Sequence, residues 1–274
     1  MRIAYVVPRV IRHFMPESTA DWMKKRKLII KAGIETLNPQ AAAQRYLEYF
    51  QKEDISIKNK LLLLFGYGGN ITTACELLKA GAAKVIACER EGFPYPVFDE
   101  QIQQAYPHYF LRTQNALQPD PHLIQIVHAD IRRAADEQNL EKADVVISSS
   151  VFEHLDDVEG ITYALSRLTK PQGKHLHFVD LRDHYFKYPF EMLTFSSGAW
   201  QHWLNPTSNL NRYRIPHYQA IFEKYFASVT IKTIESNPEE FQKVKAHIRE
   251  EYRSGEESID AATIIVIKAE ELNR

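Results

Sequence analysis

From residue 58 onward, short apolar runs alternate with amphipathic stretches along the chain. The runs are KLLLLF (60–65), KVIACE (84–89), LIQIVHA (123–129), DVVISSS (144–150), KHLHFVDL (174–181), SVTIKTIE (228–235) and ATIIVIKA (262–269). Each is short, rich in Val, Ile and Leu, and predicts a strand. Helical periodicity predicts helices near 70–81, 98–105, 130–139, 157–169, 216–225 and 238–254. Strand–helix alternation of this kind predicts an α/β fold with a mostly parallel sheet and helices on both faces. The nearly unbroken apolar character of the first strands fits a sheet covered on both sides.

Residues 1–56 follow another pattern. A short apolar start precedes two helical patterns, about 19–33 (Trp22, Leu28 and Ile29 among lysines) and about 39–53, with Pro39 in its first turn and Tyr46, Leu47 and Phe50 at helical spacing. The expectation is an N-terminal helical cap over 1–56 and a main domain over 57–270. Residues 182–215 break the rhythm with many aromatic side chains and no clear period. A long segment directly after a core strand suggests a lid or acceptor-binding insertion.

Composition narrows the class. The 274 residues are 45% hydrophobic and 25% charged, and 34 basic residues face 35 acidic ones. That balance disfavours a broad phosphate-binding surface, so no nucleic-acid partner is expected. No apolar run reaches membrane-span length, and the N-terminal stretch, interrupted by Pro8 and Arg9, lacks a signal-peptide pattern. Cys75 and Cys88 have neither CxxC spacing nor a disulfide framework, which suits two buried thiols. A cytoplasmic protein with no membrane partner is expected.

The chemistry concentrates at strand ends. LLLLFGYGGN (61–70) runs from a buried strand into Gly66, Tyr67, Gly68 and Asn70 before a helix. Such a turn allows positive φ, close backbone approach and free N–H groups at a helix start. It is not a dinucleotide fingerprint, because Ile71 stands where the third glycine is needed, and no Gly-Lys-Ser/Thr occurs for a P-loop. A nicotinamide-dependent oxidoreductase is therefore disfavoured. Glu89, followed by Arg90, sits at the second strand's tip, where an acid accepts hydrogen bonds from ribose. Asp130 and Ile131 follow the third strand, and SSSVFEHLDD follows the fourth.

The order FGYGGN, ACER, HADI, SSSVFEHLDD and LTKPQGKHLHFVDL resembles the class I S-adenosylmethionine-dependent methyltransferases over about residues 58–270. The resemblance implies a Rossmann-like seven-stranded sheet with an antiparallel last strand, and S-adenosyl-L-methionine as cofactor, with S-adenosyl-L-homocysteine as product. By it, Gly66 and Gly68 lie against the methionine and ribose, Glu89 holds the ribose diol, Asp130 and Ile131 border the adenine, and Ser149 and Ser150 flank the sulfonium. Two positions depart from the family pattern. Leu64 stands where an acid is usual, and Asn70 replaces a glycine. Glu153 and His154 match the end of a Glu-x-x-Glu-His metal cluster of the family's ubiquinone-pathway O-methyltransferases, but Ser150 stands at its first glutamate, so no metal is expected.

For the acceptor side, the histidines carry weight only by position, since the chain has eleven. His184, beside Asp183 after the fifth strand, is the candidate general base, with Asp183 orienting it. His154 is either near the reacting atoms or a helix-entry residue bonded to backbone. Tyr185, Trp200, His202 and Trp203 are expected to wall an acceptor pocket, or to form a small satellite core. Arg212 either meets an acidic acceptor or anchors the loop. The reading is a methyltransferase acting on a small molecule, with oxygen as the expected acceptor atom. The alternative, favoured by Leu64, is a non-catalytic protein of the same fold that binds another chain.

Overall fold

The computed structural model describes residues 3–16, 18, 19, 23, 38–90, 100–112, 117–137, 140–184 and 187–273. The expected helix near 19–33 lies almost wholly outside them, Trp22 included. The main elements in chain order are α1 (Ile3–His13), α2 (Pro39–Lys52), β1 (Leu61–Phe65), α3 (Thr72–Lys79), β2 (Lys84–Glu89), α4 (Glu100–Ala105), β3 (Phe110–Arg112), β4 (Leu117–Pro119), β5 (Ile124–His128), α5 (Ile131–Glu137), β6 (Ala143–Ser149), α6 (Val158–Arg167), β7 (Thr169–Asp180), α7 (Ile215–Phe222), β8 (Phe226–Ser236), α8 (Pro238–Val244), α9 (Glu257–Asp260) and β9 (Ala262–Leu272).

Seven strands form one sheet in the order β5-β2-β1-β6-β7-β9-β8, with β3 and β4 as a separate antiparallel pair. β9 runs antiparallel to both β7 and β8, while β1, β2, β5, β6 and β7 pair in parallel. This bears out the expected fold class. The strand order reverses between β1 and β6, and open α/β sheets bind ligands outside the carboxyl ends of the strands at such a reversal.

β1 shows how the sequence builds the two layers. All five of its residues are buried. Leu61, Leu63 and Phe65 face one core with Ala134 of α5, Leu165 of α6 and Phe222 of α7. Leu62 and Leu64 face the other, with Tyr46 and Phe50 of α2 and Ala74 and Leu77 of α3. The side-chain period of two thus feeds both layers from one run, each buried leucine contributing roughly 1.5–3 kcal/mol. Cys75 and Cys88 are free and buried in these layers, as expected.

Some elements differ from the sequence expectation. The apolar start is helix α1, with Pro8 inside it. Its Tyr5 and Arg9, one helical turn apart, are both buried. β7 begins at Thr169, earlier than expected, with a register irregularity against β6 between Ala143 and Val145. The expected helix at 238–254 stops at Val244 and continues as two single turns. The two N-terminal helices pack on different partners: α2 on α3, and α1 on the turn Trp200–Leu204 of the insertion. The insertion has its own core of Phe190, Met192, Leu193, Trp200, Leu204 and Leu210, shared with Phe241 of α8 and Tyr252.

Candidate active site

The glycine turn after β1 is left-handed at Gly66, Gly68 and Gly69, with φ of 76°, 68° and 77°. Gly66 is required twice over. Its φ excludes most side chains, and a Cβ built there would overlap Val151 Cγ2. The bulk against this glycine is therefore the protein's own Val151. The same contact seats the turn after β6 directly against the glycine turn. Asn70 accepts a hydrogen bond from the Thr72 N–H at 2.9 Å, closing the entry to α3. Tyr67 is buried, stacks on His128 at 6.0 Å and bonds His128 Nε2 at 2.7 Å.

Glu89 sits at the tip of β2 with its carboxylate oriented by two backbone donors, Gly68 N–H at 3.1 Å and Arg90 N–H at 3.1 Å. Burial pushes its carboxyl pKa up, and the two N–H groups pull it back. A carboxylate with two such bonds keeps further lone-pair sites for other donors. Asp130 behaves differently. Its carboxylate is gripped by Arg132 through Nε at 3.0 Å and Nη2 at 2.5 Å, and those hydrogen bonds hold its carboxyl below the usual range. Arg132 also reaches Asp157 at 2.9 Å. The expected adenine contact from the Asp130 side chain is thus redirected into this ion pair.

At the tip of β6, Ser149 Oγ accepts a hydrogen bond from Arg45 Nη2, and Ser150 adopts φ 55°. Arg45 comes from α2, lies 4.1 Å above the Phe178 ring, and its buried Nε has no hydrogen-bond partner among the described residues. Sequence reasoning passed over Arg45. The available signal was an arginine among Ala42, Ala43 and Tyr46, all buried on that helix.

The next turn, Phe152–His154, is clamped by the segment that closes the insertion. Asn211 N–H donates to Glu153 O at 3.0 Å, Asn211 Nδ2 to Phe152 O at 2.6 Å, and Asn209 Nδ2 to His154 O at 3.1 Å. The His154 ring bonds the Asn209 carbonyl through Nδ1 at 2.7 Å and meets the His184 ring at 4.8 Å, nearly edge to face. The backbone-bonded reading of His154 is therefore the one seen, and the ring also lies beside the other candidate histidine. Burial, then the neighbouring His154, lowers the His184 pKa to about 4. Glu153 is only 4% exposed, and burial followed by the nearby Asp180 charge raises its pKa well above the ordinary value.

Asp183, expected to orient His184, is engaged by the N-terminal helix α1. It is buried and accepts from Tyr5 Oη and from Arg9 Nη2 and Nε, the last at 3.2 Å. Trp200 is also buried, between the Arg9 and Arg212 guanidiniums at 5.0 and 5.1 Å, with its indole N–H on Leu210 O at 3.0 Å. Arg212 donates to Met192 O at 3.1 Å and Phe195 O at 2.8 Å, so it anchors the loop. These two belong to the satellite core in place of a pocket wall. His202 is exposed, bonding Gly198 O at 2.8 Å, and Trp203 is 57% exposed beside Phe14. Tyr185 lies outside the described residues.

A family model described as a methyltransferase domain matches residues 101–177. No curated protein matches the chain. Among solved structures, the chain is similar to phosphoethanolamine N-methyltransferase 2 of Haemonchus contortus, in complex with S-adenosyl-L-methionine. The TM-score is 0.51 at 12% identity, covering 84% of this chain and 53% of that one. It is also similar to geranyl diphosphate C-methyltransferase of Streptomyces coelicolor A3(2), in complex with Mg²⁺, geranyl diphosphate and S-adenosyl-L-homocysteine. There the TM-score is 0.51 at 11% identity, covering 85% and 77%. The chain spans about half the length of the Haemonchus enzyme, and at these identities the likeness is one of fold. Among the described residues no helix is long and apolar enough to cross a membrane. By sheet order and by the methyltransferase-domain match over residues 101–177, the chain has the fold of the class I S-adenosylmethionine-dependent methyltransferases.

Proposed function

We propose that this protein transfers the methyl group of S-adenosyl-L-methionine to a hydroxyl oxygen of a small molecule. One observation carries the reading: the glycine turn, the Glu89 carboxylate and the Ser149–His154 turn meet at the carboxyl edge of the sheet, where the strand order reverses. Glu89 takes the ribose hydroxyls, held in place by the Gly68 and Arg90 N–H groups. Arg45, beside Ser149, supplies a cation for the cofactor's carboxylate. Asp130 and Ile131 border the adenine through their backbone, with the Asp130 side chain committed to Arg132.

The sulfonium already activates the methyl carbon. The protein's work is to align acceptor oxygen, carbon and sulfur and to exclude water. A hydroxyl must lose its proton as the O–C bond forms. The cluster of Glu153, His154 and His184, adjoining the Ser149–Ser150 tip, is where that proton leaves. His184 is neutral at physiological pH by its lowered pKa, so it is available as a base or as a lone-pair donor. Its direct use as the general base is the simplest form of this step.

The alternative, a non-catalytic binding subunit, draws support from Leu64, which is fully buried in the core of the α2–α3 layer and offers no acid to the cofactor. Incubation with methyl-labelled S-adenosyl-L-methionine and a panel of hydroxylated small molecules separates the two. Label in an acceptor product, with S-adenosyl-L-homocysteine released, supports the enzyme; cofactor turnover absent across the panel together with absent cofactor binding supports the subunit.

A further inference from the structure

Glu153 presents a problem of charge. Its side chain is 4% exposed, and neither carboxylate oxygen has a hydrogen-bond partner among the described residues. A buried carboxylate without partners must take a proton or a cation. The surroundings favour a cation, because two imidazoles stand beside the carboxylate. The nearby Asp180 is already paired with Arg182 at 2.7 Å, and Asp183 with Arg9.

The donors are in place. One carboxylate oxygen of Glu153 and one ring nitrogen each of His154 and His184 all lie within 4.8 Å of one another. Ligands about 2.1 Å from a tetrahedral ion stand about 3.4 Å apart, so side-chain closure of at most about 1.4 Å completes the set. His154 is tuned for the task. Its Nδ1 faces the Ser208 and Asn209 carbonyls at 3.0 and 2.7 Å, so Nδ1 carries the proton and Nε2 the lone pair. A backbone carbonyl on the far nitrogen is the usual outer partner of a metal-bound imidazole. Asn209 and Asn211 then pin the backbone at Phe152, Glu153, His154 and Leu155. The sequence expectation of no metal weighed only the stretch around residue 150, whereas His184 arrives from beyond the end of β7.

We propose that Glu153, His154 and His184 form a divalent metal site for a borderline first-row cation, Zn²⁺ or Mn²⁺. Two imidazoles and one carboxylate suit such ions, and three protein ligands leave a position open for an acceptor oxygen. Resting on the methyltransferase reading, the site has a defined task. The acceptor hydroxyl bound there loses its proton to solvent, its oxygen forms the bond to the methyl carbon, and the carbon–sulfur pair stays on sulfur as the neutral thioether. In this form His184 is a ligand, and the cation replaces it as the agent that acidifies the hydroxyl.

The test is calorimetric titration of chelator-treated, tag-free full chain with ZnCl₂, MnCl₂ and MgCl₂, without cofactor. The expected result is one saturable site for Zn²⁺ or Mn²⁺, weakened at least tenfold in Glu153→Gln and in His184→Asn. Glu153→Gln is nearly isosteric and removes a buried charge, so it folds. Melting curves give a second readout: Zn²⁺ raises the wild-type Tm and leaves that of Glu153→Gln unchanged. No saturable site for any of the three cations, or equal binding in Glu153→Gln, overturns the proposal. S-adenosyl-L-homocysteine titrated into the same samples keeps the two readings apart. Metal binding without nucleoside binding sinks the methyltransferase reading and leaves the site; the reverse sinks the site alone.

Discussion

Replacing Asp183 by Asn tests how the N-terminal helix is held. Asp183 and Arg9 are almost wholly buried, and the carboxylate also receives the Tyr5 hydroxyl. The substitution leaves a guanidinium with no counter-charge in a closed site. Breaking one side of such a pair costs about 3–5 kcal/mol when the other side stays buried. Among the described residues the other contacts of α1 include Val6 and Val10 against the satellite core, the Tyr5 ring beside Phe195 and Tyr188 at 5.8 Å, the Arg9 guanidinium 5.0 Å from the Trp200 ring, Arg12 on Thr207 Oγ1 at 3.2 Å and His13 on Asn205 O at 2.6 Å. The helix has 11 residues with Pro8 inside, so once undocked it does not persist alone in water. The expected outcome is local release of α1. A loss of about 3 kcal/mol corresponds to about a hundredfold faster amide exchange over Ile3–His13, while the sheet amides of β1 and β6 keep their protection. In an Arg9→Met background, Asp183→Asn should cost much less, because no cation is stranded. Unchanged exchange in α1, or equal cost in both backgrounds, refutes the reasoning.

Three further outcomes follow from contacts elsewhere in the fold. Arg45→Met should weaken S-adenosyl-L-methionine binding by about 1.5–3 kcal/mol yet leave 5′-methylthioadenosine, which lacks the carboxylate, almost untouched in calorimetry. Gly66→Ala should destabilise the fold by about 1–2 kcal/mol from the left-handed backbone alone, and more from overlap with Val151. Urea denaturation should show partial recovery in Gly66→Ala/Val151→Ala. His175 and His177 are buried in β7, linked to each other at 3.0 Å, and burial lowers the His175 pKa to about 3. The unfolded chain therefore takes up these protons first, and stability is full above about pH 6.5 and falls toward pH 3. The limiting slope is about 1.4 kcal/mol per pH unit per histidine, which a urea-midpoint series against pH would show and His175→Phe should reduce. A flat series would mean that these imidazoles are hydrated.

Runs such as LLLLF and KVIACE disclosed the sheet because a strand buried on both faces has no polar positions to disguise it. The tips followed from it, since strand ends in a parallel sheet share one edge. The side-chain partners were not legible in the same way. Asp183 and Arg9 are 174 positions apart, and nothing local to either signals the other. A nearby His184 made orientation of a base the more obvious role for that aspartate. Arg212 and Trp200 look like recognition residues by type, yet positive φ at Arg212 and carbonyls around its guanidinium make them part of a loop's internal support. The Glu153–His154–His184 cluster was half visible. Two of its members had been singled out as histidines near the edge, but their meeting at 4.8 Å depends on where the insertion leaves β7.

Calorimetric titration of the purified wild type and Glu89→Ala with S-adenosyl-L-homocysteine examines the central claim most directly. The account predicts saturable one-to-one binding to the wild type, weakened by about 1–3 kcal/mol in Glu89→Ala as a hydrogen bond between a charged carboxylate and the ribose is lost. Absence of heat in the wild type, or identical affinity in the two proteins, would contradict it.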